Sequence, residues 1–441
     1  MNTITNPILL QSLKIQYGQV DDIGNNRTQQ DDSCVIIKPE INCAVFAVAD
    51  GHGADTGHIA ANACIAAIKE FTDANLVILA ENPLEFLERC YAHAQEQIRE
   101  AFTKHYVDKG FEVKHENGIL LKRRFPSNGF TNIGGGSMLT ITVLNGTKLY
   151  VANVGDCAAQ LCVNEPILKN SMLKCEIDVA TGETELEVET DTSFASSAAS
   201  GASCDGVSVT EAPTKVTHLA LTRDHSPMSA DEYRRVREFR PSPADPNKAE
   251  LLFVYDEQDT PKPYCEPVFS VAEDGTPVVR DDVKYYCKNV SKERATYVSV
   301  PNDADYTDAL ASARAMGDFN IGNYGVTPKP EIQSVDLSVV FERTDVACMV
   351  IATDGVWDNW ISDHVTKFMM DKSCLSAIDA DLEKGALRVT KSFMIRNNGF
   401  AQRNFRGNAD NATSIVVYLK PRELTHVPIT ESDLKVEEVD E

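Results

Sequence analysis

The sequence predicts an α+β fold in which two antiparallel sheets are flanked by helices. Three observations carry this. Apolar runs rich in β-branched residues are joined by hairpin signals rather than by long crossovers. Helical periodicities are grouped between those runs instead of alternating with them, which argues against a parallel sheet. Apolar residues make up 43% of 441 positions, enough for a large core.

In chain order, 33–37 is a short, partly β-branched strand, and 42–49 is a buried one. Residues 57–71 carry Ile59, Ala63, Ile65, Ala66 and Ile68 at helical spacing. A second helix spans 83–106, opened by Pro83 and faced by Leu84, Phe86, Leu87, Tyr91, Ile98 and Phe102. Residues 110–133, mixed and partly basic, read as a loop. Strands at 138–144 and 148–154 flank Asn145-Gly146, a strong hairpin turn. A further strand follows at 158–163.

From 164 to 213 the chain is acidic and then rich in Ser, Ala, Gly and Thr, which reads as a disordered insertion. Residues 217–221 form a strand and 229–239 a short helix. The span 228–312, dense in proline and charge, reads as an elaborated flap with strand fragments at 251–255 and 296–300. Residues 346–353 are a buried strand, 376–396 a helix and 411–419 a closing strand. The division expected is one catalytic domain over 1–420 and an acidic tail over 421–441.

Composition narrows the function. Sixty-six acidic residues against 42 basic give a net charge of −24, which argues against nucleic-acid partners and anionic membranes. An anionic substrate stays admissible where a divalent cation inverts the local field. Twelve cysteines with no CxxC pair indicate buried thiols in a reduced cytoplasmic or nuclear setting.

The most informative segment is Asp50-Gly51-His52-Gly53, at the end of the run Cys43 to Ala49. It places a carboxylate, an imidazole and closely approachable backbone at one strand end. Asp32 precedes a strand in the same way. Asp156 and Asp354 follow strands, and Asp410 precedes one. Such ends, gathered at one rim, offer hard oxygen ligands for magnesium or manganese. The absence of histidine and thiolate ligands from this set argues against zinc. Asp224-His225-Ser226 is no triad, because adjacent residues cannot adopt that geometry. Asn132 to Gly136 lacks the Lys-Ser/Thr ending of a nucleotide loop and reads as a tight strand entry. Trp357 and Trp360 read as packing residues.

The order of these segments resembles the metal-dependent protein phosphatase 2C family of serine/threonine phosphatases. The matching stretches are Arg27 to Asp32, Val48 to Gly53, Gly135 to Ser137 with Val151 to Asp156, Leu221 to Pro227, Ala313 to Asp318, Ile351 to Asp358, and Asp410 to Thr413. The resemblance implies a four-layer αββα sandwich. It implies hydrolysis of phosphoserine and phosphothreonine in proteins by a hydroxide bridging two Mg2+ or Mn2+ ions, with no covalent enzyme intermediate.

Residue by residue, it assigns Asp50 as the carboxylate bridging both ions and Gly51 as a carbonyl ligand. Asp354 and Asp410 bind one ion; Asp32, with Asp31 beside it, serves the other. Asp156 and Asp358 match a weaker third site. Arg27 takes the substrate phosphate through its planar fork, and His52 acts as general acid. Partners would be phosphoproteins met in signalling by a monomer. A second reading is a catalytically weak scaffold that binds phosphoproteins.

The chain departs from the family pattern at Cys157-Ala158, where Ser-Arg is usual, and at Ala313, where serine is common. The long 164–213 and 228–312 segments leave substrate choice open.

Overall fold

The computed structural model describes residues 8–26, 28–164, 217–239 and 250–422, with backbone also at 172–174, 176–177 and 184–185. Two antiparallel sheets form its centre. The first orders its six strands as Ile8–Leu9, Leu13–Asp22, Ala412–Pro421, Ala347–Ala352, Ala158–Val163 and Thr217–Ala220. The second runs Met172–Lys174, Glu331–Asp336, Lys148–Val154, Gly136–Asn145, Cys43–His52 and Asp32–Lys38, with Met316–Gly317 added against Gly136–Asn145.

Strand alternation builds the layers. Phe46 and Val48 point into the core between the sheets, where they meet Ile15, Val151, Leu161, Met349 and Val417. Val45, Ala47 and Ala49 point the other way, against Ile65 and Ile68 of helix Gly57–Ala74 and Phe86 and Phe102 of helix Pro83–Asp108. On the far side, Cys348, Val350 and Tyr418 pack on Val365, Met369 and Phe393, carried by helices Ser362–Met369 and Gly385–Asn404. Helices therefore cover both outer faces of the paired sheets, the sandwich expected from the sequence. Among the described residues no helix is long and apolar enough to cross a membrane.

Three elements differ from expectation. The 376–396 helix is two helices, Lys372–Ala380 and Gly385–Asn404. Asp381 breaks the run by accepting the Glu383 and Lys384 amides at 3.1 and 3.0 Å. Gly385 then lets the second helix pass the first, since a Cβ there would lie 2.4 Å from the Ala377 carbonyl.

The 110–133 loop is instead a small sheet of Glu112–Glu116, Ile119–Arg123 and Thr131–Asn132. Its turn, Asn117-Gly118, has φ of +50° and +83°, whereas at the 145–148 turn only Gly146 is left-handed, at φ +60°. The closing strand runs Ala412–Pro421 rather than 411–419, its neighbour Ala347–Ala352 is shorter than the 346–353 read, and its other neighbour, Leu13–Asp22, had no counterpart in the sequence reading. The 164–213 insertion lies largely outside the described residues, as does the tail beyond 422.

The flap is joined to the main body rather than set apart. Its sheet of Leu252–Tyr255, Thr296–Ser299 and Ala309–Leu310 sends Phe253, Tyr255, Val298 and Leu310 into the same apolar cluster as the central strands.

Candidate active site

Four of the five aspartates predicted at strand ends, Asp50, Asp156, Asp354 and Asp410, share one neighbourhood with Asp31; Asp32 does not. Thr353 Oγ1 donates to Asp31 Oδ2 at 2.9 Å and accepts the Thr413 amide at 3.0 Å, tying three chain segments together. Asp354 opens the short helix Asp354–Trp357 directly after strand Ala347–Ala352 and its flanking Thr353. Gly355 allows that turn to sit on the last strand's entry, because a Cβ there would be 1.8 Å from the Asn411 carbonyl. Asp410 is exposed, and its Oδ1 accepts from Asn26 Nδ2 at 2.9 Å.

The carboxyl groups are electrostatically frustrated. Burial raises Asp50 well above the ordinary carboxylate range, and the charges of Asp354, Asp31 and Asp156 raise it further. Its side chain is hydrogen-bonded to that of Asp354. Burial also pushes Asp31 up to about 8, with Asp354 and Asp410 adding to the effect against the Thr353 hydrogen bond. Asp354 rises to about 7 through burial and the charges of Asp156 and Asp410.

Among the described residues no three carboxylates, imidazoles or thiols are gathered closely enough to hold a metal ion as they stand. The donor chemistry nevertheless fits one. Hard oxygens from several segments meet, and a bound cation would relieve the mutual repulsion that otherwise favours protonation. Gly51 fits a carbonyl ligand's need for close backbone, since a Cβ there would be 2.5 Å from the Gln30 carbonyl.

Asp31 and Asp32 divide differently from the expectation that favoured Asp32. Asp31 lies just before strand Asp32–Lys38, and the two neighbouring side chains take opposite sides. Asp31 is buried and feels Asp354 and Asp410, whereas Asp32 sits with Lys69 and Asp21. Burial raises Asp32 as well.

His52 lies at the end of the same strand as Asp50, and its Nε2 donates to Asp318 Oδ2 at 2.6 Å. Burial opposes its charged form, but Asp318, through its charge and this bond, and then Asp156 and Asp308 raise its pKa above the ordinary value. Its Nδ1 is buried without a partner among the described residues. Three glycines make room: a Cβ on Gly53 would be 2.9 Å from Gly135 Cα, and one on Gly136 would be 2.3 Å from Asp318 Oδ2. The Gly134 to Gly136 run is thus a tight strand entry.

The protein-family model described as Protein phosphatase 2C matches residues 18–173 and 294–383, more than half of the chain. The chain belongs to the protein phosphatase 2C family. A serine-threonine phosphatase 2C from Toxoplasma gondii is similar in fold at 14% identity and a TM-score of 0.50, with 95% of this chain and 99% of that one covered. A C. elegans sex determining protein aligns at 16% identity and a TM-score of 0.46, over 92% of this chain and 64% of that one. An S. agalactiae serine/threonine phosphatase aligns at 13% identity and a TM-score of 0.37, covering 91% and 98%. Comparison with curated proteins returned no match.

Family membership makes this a serine/threonine protein phosphatase by class. Of the residues read from sequence, Asp31, Asp50, Asp156, Asp354 and Asp410 share one electrostatic neighbourhood, and Asp358 joins it through Asp354 and Asp156. Arg27 lies outside the described residues.

Sequence reasoning missed a second group that the flap brings in. Lys288 Nζ is 3.4 Å from Glu293 Oε2, and Asn289 Nδ2 donates to Asp358 Oδ1 at 3.1 Å. The Val290 amide donates to the Asp358 carbonyl at 3.1 Å. Burial works against the Lys288 ammonium, yet Asp156, Asp224, Glu293 and Asp358 outweigh it and raise its pKa. Burial also pushes Asp358 up to about 8, with Asp354 contributing. An ammonium therefore faces the two carboxylates assigned to a third ion. Lys288 and Asn289 fall outside the matched segments, so the family pattern held no signal for them. Asp318 was visible in Gly317-Asp318 but had been given no role.

His225 is structural: it is 1% exposed, and the Gly155 amide donates to its Nδ1 at 3.1 Å. Cys157, one of the departures, is buried among Asp50, Asp156 and Asp354, and burial first, then those charges, push its thiol well above the ordinary value.

Proposed function

We propose that this chain hydrolyses phosphoserine and phosphothreonine in proteins and depends on Mg2+ or Mn2+ to do so. The observation that supports it is the convergence of Asp31, Asp50 and Asp354, whose raised pKa values mark a cluster lacking its counter-charge. Asp50, the Gly51 carbonyl, Asp31, Asp354 and Asp410 would hold two ions. When bound, these ions supply charge neutralisation for the phosphate and a strongly acidified water.

The chain's own residues do the rest. Arg27 orients the phosphate with its donor fork. Water's oxygen forms the new bond to phosphorus while the bond to the serine or threonine oxygen breaks. His52 gives a proton to that departing oxygen through Nδ1, and Asp318 holds the ring through Nε2. Proton donation of this kind is worth about 10²–10⁴-fold. Burial and then the charges of Asp50, Asp156 and Asp354 favour the neutral Cys157 thiol, which argues against it as a competing nucleophile. A monomer belongs to the same reading, as does a reducing cytoplasmic or nuclear compartment, the latter supported by ten free thiols among the described residues.

Hydrolysis of a phosphothreonine peptide with and without manganese tests it. Wild type is expected to turn over only with metal, and Asp50→Asn or Asp354→Asn to lose about 10³-fold or more. EDTA-resistant turnover contradicts the metal requirement. Metal-independent capture of the peptide without turnover favours the scaffold reading.

A further inference from the structure

On the outer helical face, away from the acid cluster's centre, lies a cavity of about 770 Å³. Its floor is aromatic. Trp360, Phe368 and Phe400 line it, with ring centroids 5.9 Å apart for Trp360–Phe368 and 4.8 Å for Trp360–Phe400. Trp360 is 6% exposed, and its indole N–H has no acceptor among the described residues. Buried indole nitrogens ordinarily find one.

The rim is basic in a chain of net charge −24. Lys367, Arg396 and Arg403 line it, all exposed; none is within ion-pair distance of a carboxylate among the described residues, although the Arg396 charge is felt by Asp371. The Arg396 guanidinium lies 4.9 Å from the Phe368 ring centroid, and that of Arg403 lies 4.9 Å from Phe400. Asp371 is the single carboxylate on the lining, and it is engaged in accepting the Ser373 amide at 2.9 Å. An aromatic floor within a cationic rim suits an acidic segment carrying aliphatic side chains.

This chain contains such a segment. Residues 431–441 read Glu-Ser-Asp-Leu-Lys-Val-Glu-Glu-Val-Asp-Glu, six carboxylates against one lysine, with Leu434, Val436 and Val439 between them. Its root is placed to reach. Lys420 pairs with Asp379 near the end of helix Lys372–Ala380, and Ser373 and Cys374 at the other end of that helix line the cavity. A nine-residue helix rises about 13 Å. The chain beyond Arg422 spans up to about 30 Å before residue 431 begins.

We propose that the acidic segment 431–441 docks in cis in this cavity, its carboxylates on Lys367, Arg396 and Arg403 and its aliphatic side chains over Trp360 and Phe400. The site is connected to the catalytic rim. Val290 lines the cavity, and its amide holds the Asp358 carbonyl. Occupancy therefore bears on the flap hairpin that carries Lys288.

The test uses the full chain and a fluorescent peptide of residues 431–441, read by anisotropy. In wild type the tethered segment competes at an effective concentration on the order of millimolar. The triple change Glu437→Lys, Glu438→Lys and Asp440→Lys frees the cavity, so the peptide is expected to bind that variant at least tenfold tighter than wild type. Adding Arg396→Glu and Arg403→Glu is expected to abolish peptide binding. Both arginines are exposed, and an unchanged unfolding midpoint confirms that the fold persists.

A peptide with the same composition in scrambled order controls for bulk charge. Equal affinity for wild type and the tail-reversed chain overturns docking in cis. Equal binding of the scrambled peptide, or binding indifferent to Arg396→Glu and Arg403→Glu, overturns the site.

Discussion

The His52 imidazole and the Asp318 carboxylate meet at 2.6 Å, across 266 positions of sequence. Asp318 is 3% exposed and occupies the left-handed region at φ +43°, unusual for a residue with a side chain. The bond commits Nε2 and leaves Nδ1, buried and without a hydrogen-bond partner among the described residues, as the nitrogen left to donate. It also favours the charged ring, the form that donates a proton.

Asp318→Asn is therefore expected to lower kcat on a phosphothreonine peptide about tenfold while KM changes little. The loss should shrink on an aryl phosphate, whose leaving group needs less protonation. Equal losses on both substrates would show that Asp318 serves the fold rather than the acid.

The acid cluster sets a pH dependence with a defined sign. Asp31 and Asp358 are raised to about 8 and Asp354 to about 7 in the folded chain. Raised carboxyl values mean that the folded state binds more protons than the unfolded one from about pH 4 to about pH 8. Their contribution is complete below about pH 4 and is lost as pH climbs through that window. In EDTA, stability is expected to be lower at pH 8 than at pH 5.5, with the slope flattened or reversed by manganese. Denaturant titrations at both pH values check this; a slope unaffected by metal would count against cation binding at these groups.

Lys288 supplies a fixed positive charge beside Asp156 and Asp358, the carboxylates assigned to a third ion. Lys288→Met should destabilise the metal-free chain by about 1–3 kcal/mol by leaving Asp156, Asp224, Glu293 and Asp358 without it. Manganese should restore more stability to this variant than to wild type. Thermal unfolding with and without metal reads both effects. Identical metal responses would argue that the ammonium has no electrostatic role toward those carboxylates.

Arg314 and Glu232 join the central body to the short helix Ala230–Glu238. Nε and Nη2 of Arg314 donate to Glu232 Oε1 at 2.9 and 2.6 Å, and Glu232 is 4% exposed. Arg314→Met is expected to cost about 3–5 kcal/mol because the buried Glu232 carboxylate loses Arg314 and keeps only Arg235, whose Nη2 lies 2.8 Å from Oε2. Glu232→Leu combined with Arg314→Met should recover part of that loss. A double variant less stable than the single one would point to backbone damage instead.

Much of this site was legible because its parts are local. Asp50, Gly51 and His52 sit together at one strand end, and Asp156 and Asp354 likewise follow apolar runs that any reader can find. The Asn117-Gly118 hairpin was equally legible, yet the charges around it led to a loop reading. The break at Asp381 was less so, since helical periodicity continues on both sides.

By itself the sequence determined the two-sheet architecture, the family and the set of strand-end aspartates, because hydrophobic period and turn chemistry act over a few residues. The tertiary structure decided which neighbour does what. It turned Asp31 rather than Asp32 toward Asp354, since pairing with Ala49 fixes the face of Asp32 and the Thr353 hydroxyl holds Asp31. It set Asp318 on His52, brought Lys288 to Asp156 and Asp358, and gathered Lys367, Arg396 and Arg403 from two helices around one aromatic cavity. Those placements depend on contacts between distant segments, and no local pattern encodes which charges will share a low-dielectric neighbourhood.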